Sequence, residues 1–119
     1  MEIKDKSVKE LETLSQEIRD RIIDVVSRKG GHFSSTLGAV ELTLGMHYVF
    51  DAYCDPFIFD VSHQCYPHKL LTGRWEEFET VRQFGGLSGF TKPNESPADY
   101  FVAGHSSTSI SLAVGAAKA

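Results

Sequence analysis

The sequence predicts an α/β fold that is rich in helix and holds part of a parallel sheet. A long amphipathic pattern over residues 7–29 indicates a helix, while residues 56–61 and 100–103 form short, apolar, β-prone runs separated by helical segments. Parallel strands are joined by crossover segments, and their sheet needs both faces covered. Because a sheet of two strands is marginal by itself, we expect residues 1–119 to form an incomplete domain.

The first helix is predicted over residues 7–29. Ser7 followed by Glu10 has the form of a capping box, and Gly30 supplies a stop signal after two cations. The apolar residues recur at the three- and four-residue spacing of one helical face: Val8, Leu11, Leu14, Ile18, Ile22 and Val25.

Further helical patterns and turn signals divide the rest of the chain. The predicted segments are, in order, helices over residues 36–50, 67–71 and 75–84, an exposed loop over residues 87–98, and a helix from residue 107 onward. That last helix keeps its apolar content to Ala119 with no closing Gly, Pro or cap. Such an ending is typical of a fragment, cut inside an element at its C-terminal end.

Composition argues against several classes of protein. The net charge is −4 with scattered cations, which disfavours a nucleic-acid surface, and no apolar run approaches the length of a membrane span. The N-terminus is too charged for a signal peptide, so we expect a cytoplasmic protein. Cys54 and Cys65 lack metal-type spacing and suit free thiols, with a disulfide between them as the alternative.

Two places repeat one local pattern that suits an anionic ligand. Residues 31–36 (GHFSST) and residues 104–108 (GHSST) each place a glycine, a histidine and hydroxyl residues at a predicted helix start. Helix N-termini bind phosphates and carboxylates, although the serines could simply cap their helices. In residues 60–64 (DVSHQ), His63 stands just past a predicted strand end, where open α/β sheets bind ligands. These segments could converge on one crevice.

The other histidines carry less functional signal. His47 lies mid-helix near the apolar face and is expected to be structural, while His68 could belong to a short helix or to the surface. None of the five histidines has the spacing of a zinc site.

Four blocks in order resemble one enzyme family. They are SRKGGHFSSTLGAVELT (27–43), FDVSHQCYPHKLLTGR (59–74), RQFGGLSGF (82–90) and GHSSTSIS (104–111). Together they resemble the 1-deoxy-D-xylulose-5-phosphate synthases, which are transketolase-like enzymes dependent on thiamine diphosphate. The resemblance covers nearly the whole chain and implies the N-terminal part of the thiamine diphosphate-binding domain of that family.

The resemblance implies an activity and its partners. The family condenses pyruvate with D-glyceraldehyde 3-phosphate, releases carbon dioxide, and supplies isoprenoid, thiamine and pyridoxal precursors. Its cofactors are thiamine diphosphate and Mg²⁺, and the full-length enzyme is expected to be a homodimer without nucleic-acid or membrane partners. There are two alternatives. One is a transketolase or related thiamine diphosphate enzyme, and the other is a non-catalytic helical interaction module.

The same resemblance implies roles for particular residues. His32 matches the active-site histidine, which contacts substrate and helps proton transfer. His63 matches a cofactor-contacting histidine, and a second cofactor segment consists of Gly104, His105 and Ser106. Ser35 is a further candidate for substrate contact.

Two features depart from a complete family pattern. Ser62 stands where the second block often has glycine, which puts the local loop conformation in question. The Gly-Asp-Gly motif of the magnesium site is absent from residues 1–119, and the cofactor-activating glutamate of the family lies in another domain. We therefore assign no metal ligand in this chain and expect the fragment alone to be inactive.

Overall fold

The computed structural model describes residues 2–31 and 33–119, and all regular secondary structure in these ranges is helical. A short 3₁₀ turn at Glu77–Thr80 lies between the last two α-helices. The α-helices are α1 (Val8–Lys29), α2 (Ser34–Gly38), α3 (Val40–Val49), α4 (Tyr66–Leu71) and α5 (Ser109–Lys118).

The prediction of α1 is confirmed together with its capping box. The Ser7 hydroxyl accepts a hydrogen bond from the Glu10 N–H at 3.2 Å, and the Glu10 carboxylate accepts one from the Ser7 N–H at 3.1 Å. These two bonds satisfy backbone donors that the helix start leaves unpaired. Val8 is an exception to the predicted face, because its side chain is exposed. The buried face consists of Leu14, Ser15, Ile18, Ile22, Val25 and Val26.

The single helix predicted over residues 36–50 is interrupted. Ala39, with φ −101° and ψ 3°, separates α2 from α3. Gly38, a poor helix former, lies at the break. The buried Thr36 hydroxyl also donates to the His63 carbonyl at 3.1 Å, which fixes α2 against a later part of the chain. The tertiary contact therefore prevails over the continuous apolar pattern.

The two predicted strands, at residues 56–61 and 100–103, are wrong, because neither is a strand in the part of the chain that the structure describes. A strand needs a hydrogen-bonded neighbour, and no described segment pairs with either run. Most of their apolar residues are only half-buried, and Val102 is exposed. Phe57 packs in a small separate cluster. Val61 and Ser62 have φ of 60° and 74°, which turns the backbone out of the extended region. The described residues are thus rich in helix and contain no strand, which is compatible with the N-terminal part of the domain that the resemblance implies.

The helix predicted over residues 75–84 is also wrong. Only the 3₁₀ turn Glu77–Thr80 forms there, and Arg82 has a positive φ of 62°. The chain then turns back so closely that a Cβ on Gly86 would lie 2.2 Å from the Thr80 carbonyl oxygen. An α-helix continuing through this point would be incompatible with that approach.

The main hydrophobic core lies where α1, α3 and α4 pack together. All six residues of α4, which confirms the short helix predicted over residues 67–71, are buried. No described helix has the length and apolar character needed to cross a membrane. The buried apolar members of the core include Ile18, Ile22, Val25, Val40, Leu44, Tyr66, Leu70, Phe78 and Val81.

Candidate functional site

A strained turn precedes His63. Val61 and Ser62 are consecutive non-glycine residues with positive φ, a conformation that is uncommon and unusual above all for a β-branched residue. Ser62 is fully buried, and its hydroxyl accepts a hydrogen bond from the Thr91 N–H at 3.1 Å. The same hydroxyl lies 3.5 Å from the Ala103 carbonyl, to which it can donate. These contacts hold the turn in a conformation that glycine would adopt without strain.

Asp60 joins this turn to the start of α5. One carboxylate oxygen, Oδ1, accepts hydrogen bonds from the Ser107 N–H at 2.8 Å, the Ser109 hydroxyl at 2.9 Å and the Ser109 N–H at 3.4 Å. The N-cap residue Thr108 makes no side-chain capping bond. The alternative that the serines simply cap their own helices therefore does not hold for α5, because a carboxylate from another segment takes that place.

The segment of Gly104, His105 and Ser106 lies exposed immediately before α5. Open space surrounds the position of a Cβ on Gly104, so the backbone there is accessible to a ligand. The carbonyl of His105 accepts a hydrogen bond from the Thr108 hydroxyl at 3.1 Å. A surface depression adjoins this segment, lined by Val102, Ala103, Gly104, His105, Thr108 and Leu112.

The first histidine block lies against the second. His63 is half-buried, and its carbonyl is bound by Thr36 as described above. Gly31 has φ 143°, and a Cβ there would lie 2.8 Å from the Tyr66 hydroxyl. The backbone before α2 thus approaches α4 at a point where only glycine fits. His32, the predicted catalytic residue, lies outside the described residues. Ser35, the candidate substrate contact, is exposed on α2.

Hydrogen bonds therefore connect three blocks that are distant in the sequence. Residues 59–64 contact α2 through Thr36 and contact the segment before α5 through Asp60 and Ser62. The exposed backbone at residues 104–106 and the adjoining apolar lining are of a kind that fits a heteroaromatic cofactor ring. A phosphate group at the start of α5 would meet the Asp60 carboxylate, which already accepts from the Ser107 and Ser109 N–H groups.

A buried chain of polar groups lies next to these blocks and was not predicted. His47 Nε2 and His68 Nδ1 share a hydrogen bond of 2.9 Å. His68 Nε2 lies 3.1 Å from both the Asp99 carboxylate and the Ala98 carbonyl, which only accept, so this nitrogen carries a proton. His47 is structural as expected, and His68 is fully buried and not at the surface.

The chain continues into buried ion pairs. Arg74 binds both carboxylate oxygens of Asp99, at 2.8 and 2.9 Å, and binds Glu95 at 3.0 Å. The buried ammonium of Lys69 donates to Glu95 at 2.6 Å, and the second oxygen of Glu95 accepts from the Ser88 N–H at 2.7 Å. Residues 87–98 were predicted to form an exposed loop, but this network and the burial of several of their side chains hold the loop against α4.

Burial and neighbouring charges set the protonation of this network. Burial first, and then the nearby His68 and Lys4, lower the pKa of His47 to about 3. Burial would raise the pKa of Asp99, but hydrogen bonds from His68 and Arg74 hold that pKa well below its usual range. His47 is therefore neutral and Asp99 ionised at physiological pH.

The described residues contain neither a disulfide nor a cluster of side chains suited to a metal ion. Cys54 and Cys65 are both free, as the sequence favoured, and burial raises the pKa of the Cys65 thiol to about 12. A thiol of that kind is inert as a nucleophile. Among residues 2–31 and 33–119, no three His, Cys, Asp or Glu side chains are grouped so that they could hold a metal ion.

Comparison with known proteins identifies the relatives of this chain. Residues 1–119 match the family model described as 1-deoxy-D-xylulose-5-phosphate synthase. The chain is 91% identical over 118 residues to the 1-deoxy-D-xylulose-5-phosphate synthase of Aliarcobacter butzleri, covering 99% of this chain and 20% of that protein. It is 74% identical over its full length to the synthase of a Nitratiruptor species, of which it covers 20%. The synthase of Wolinella succinogenes is also 74% identical over the whole chain, which covers 19% of that protein.

The chain thus spans about one fifth of the length of the curated relatives that it matches. Within that span the identity is high and the family model covers every residue. On this evidence, the chain belongs to the 1-deoxy-D-xylulose-5-phosphate synthase family.

Proposed function

We propose that this chain is the N-terminal part of a thiamine diphosphate-dependent synthase that condenses pyruvate with D-glyceraldehyde 3-phosphate. The reaction releases carbon dioxide and forms 1-deoxy-D-xylulose 5-phosphate. In this proposal the active enzyme is a cytoplasmic homodimer, and residues 1–119 contribute one wall of its cofactor site. Family membership supports the proposal, because the relatives that carry this segment at high identity are named as synthases.

One structural observation carries the assignment of the site. The turn that precedes His63 is hydrogen-bonded to both flanks of Gly104, His105 and Ser106, through Ser62 on one side and Asp60 on the other. Two segments proposed to bind one cofactor must lie side by side, and these bonds hold them so. Exposed loop segments positioned by a rigid scaffold are where binding residues commonly lie, and residues 104–106 are such a segment.

In the proposed reaction, residues of this chain bind and orient the cofactor and the substrate, and one histidine transfers protons. When bound, thiamine diphosphate would supply a nucleophilic carbon and an electron sink for the decarboxylation of pyruvate. His63 and residues 104–106 would contact the cofactor. His32 would contact substrate oxygens and transfer protons to or from them, a role suited to a side chain that titrates near neutrality.

The diphosphate is proposed to depend on magnesium held elsewhere in the enzyme. Asp60 places a carboxylate at the start of α5, bonded to the Ser107 and Ser109 N–H groups, so that helix end is unsuited to a second anion. Mg²⁺ binds carboxylate and other oxygen ligands and neutralises phosphate charge. We therefore place the magnesium ligands outside residues 1–119, in agreement with the absence of a Gly-Asp-Gly motif from this sequence.

The experiment that tests the activity uses the full-length protein. Purified enzyme with thiamine diphosphate and magnesium is given either pyruvate plus D-glyceraldehyde 3-phosphate or a ketose phosphate donor. Release of carbon dioxide with the first pair only is the expected result. Turnover of the ketose donor would instead indicate a transketolase, and absence of cofactor binding would indicate a non-catalytic module. The 119-residue chain alone serves as the control that is expected to be inactive.

The role of His32 is tested in the same assay. We expect His32→Ala in the full-length protein to lower turnover by about 10²–10⁴-fold, the usual contribution of a positioned general acid or base, with a smaller effect on cofactor affinity. The matched control is His105→Ala, for which the loss of cofactor affinity should dominate. Near-normal turnover of His32→Ala with weakened cofactor binding would move His32 to the cofactor-binding class.

A further inference from the structure

Asp60 has a position that the proposed reaction does not by itself require. Its Oδ1 atom accepts three hydrogen bonds from Ser107 and Ser109, and two of the donors are backbone N–H groups at the start of α5. Hydrogen bonds to an ionised carboxylate are stronger than those between neutral groups, and the helix dipole adds to them. The acidic side chain thus holds the first turn of a helix that begins 49 residues later in the sequence.

Little else fixes this end of α5. No residue of α5 is buried, and its own N-cap residue makes no side-chain capping bond. Ser107 has a positive φ of 70°, a conformation that persists only where surrounding contacts impose it. The contact of Asp60 with the Ser107 N–H, at 2.8 Å, is the shortest of its three bonds and acts directly on that residue.

The same acidic residue is also part of the turn before His63. Its backbone carbonyl accepts a hydrogen bond from the Gln64 side chain at 3.0 Å. Two residues further on, the Ser62 hydroxyl lies within hydrogen-bond distance of the Ala103 carbonyl. Residues 104–106 are thus bonded at both flanks to a turn of three residues, and Asp60 provides the C-terminal bond.

We propose that Asp60 is a positioning residue: its carboxylate fixes residues 104–106 relative to His63 without touching the cofactor. This inference rests on the proposed function, since it presumes that both segments bind thiamine diphosphate. Loss of the carboxylate would free the start of α5 and widen the range of positions open to residues 104–106. Cofactor affinity would then fall, because ordering of the segment would accompany binding.

The test uses full-length protein and three variants. Asp60→Ala removes the acceptor, and Asp60→Asn keeps one side-chain oxygen but removes the charge. Asp20→Ala removes an exposed acid on α1 and is the control for net charge. The dissociation constant of thiamine diphosphate is measured by calorimetry at fixed magnesium, and turnover is measured at saturating cofactor. Hydrogen–deuterium exchange of the peptide containing residues 104–112 reports on the position of the segment directly.

We expect Asp60→Ala to raise the dissociation constant about tenfold or more, the loss expected for charge-assisted hydrogen bonds. Asp60→Asn should fall between Asp60→Ala and the parent, and Asp20→Ala should match the parent. Turnover at saturating cofactor should fall less than affinity does. Exchange in residues 104–112 should accelerate in Asp60→Ala while exchange in α1 stays unchanged. Should Asp60→Ala fail to fold, Asp60→Asn gives the same comparison at smaller amplitude.

Failures of the two proposals have different signatures. If the parent protein neither binds thiamine diphosphate nor turns over pyruvate, the proposed function is wrong, and the exchange measurement still decides whether Asp60 holds the segment. If the parent is active but Asp60→Ala binds the cofactor with unchanged affinity and exchanges at the parent rate, the positioning role is overturned.

Discussion

The backbone strain at Ser62, next to the proposed cofactor site, can be measured by comparing the stability of two variants. We expect Ser62→Gly to be more stable than Ser62→Ala. Both variants lose the hydroxyl, and with it the acceptor for the Thr91 N–H at 3.1 Å. They differ in how readily the backbone adopts a φ of 74° and in the freedom of the unfolded chain. An L-residue in the left-handed region costs about 1–2 kcal/mol, a cost that glycine does not incur.

The expected difference can be worked out from these opposing effects. At an ordinary position alanine is favoured over glycine by about 0.4–1 kcal/mol, because glycine has more conformational freedom in the unfolded chain. The strain at Ser62 reverses this order, so glycine should be favoured by about 1 kcal/mol. Relative to the parent, Ser62→Ala should lose about 1–3 kcal/mol, the cost of leaving a buried N–H without a partner.

Urea unfolding of the three proteins, compared at equal slopes, measures these differences. In the full-length enzyme we further expect Ser62→Gly to keep turnover within about threefold of the parent, since the variant has a residue that fits the turn without strain. An alanine variant as stable as the glycine variant would refute the strain argument. A loss of turnover greater than about 100-fold in Ser62→Gly would show that the hydroxyl has a further role.

Three other expectations follow from the same structure. Arg74→Met should cost about 3 kcal/mol of unfolding free energy by leaving Asp99 buried with fewer partners, as equilibrium unfolding would show; a change under about 1 kcal/mol would contradict this. Gly86→Ala should destabilise by about 1–3 kcal/mol because a Cβ cannot fit 2.2 Å from the Thr80 carbonyl, whereas the same change at the uncrowded Gly45, inside α3, should stabilise by up to about 1 kcal/mol. Stability should fall with acidification from about pH 6.5 towards pH 3, by at most about 1.4 kcal/mol per pH unit from His47, because its native pKa of about 3 lies below its unfolded value and only the unfolded state takes up the proton; His47→Gln should flatten that slope.

Local signals in the sequence predicted the parts of the fold that local interactions determine. The extent of α1 follows from its cap and its apolar spacing, both of which lie within a few residues of one another. Residues 56–61 were wrongly predicted as a strand because an apolar run has the same composition whether or not it finds a pairing partner. The turn at Val61 and Ser62 carries no glycine that would have indicated a positive φ.

The candidate site was predictable only in its components. Glycine, histidine and hydroxyl residues at helix starts marked residues 31–36 and 104–108, but not the contact of Asp60 with α5, which joins groups 49 residues apart in the sequence. The buried network was missed for the same reason: the partners Lys69 and Glu95 are 26 residues apart. One signal was available in the sequence. His68 and Lys69 are polar residues inside the otherwise apolar short helix α4, where both are buried.

Residues 87–99 show how a segment without helix or strand can behave as part of the interior. Glu95 and Asp99 accept hydrogen bonds from buried cations and from backbone N–H groups of the segment itself. A protease must draw an extended stretch of chain into its active site, which here would separate those charges from their partners. The segment should therefore resist cleavage in the folded protein, and an insertion there should be tolerated as poorly as one inside a core helix.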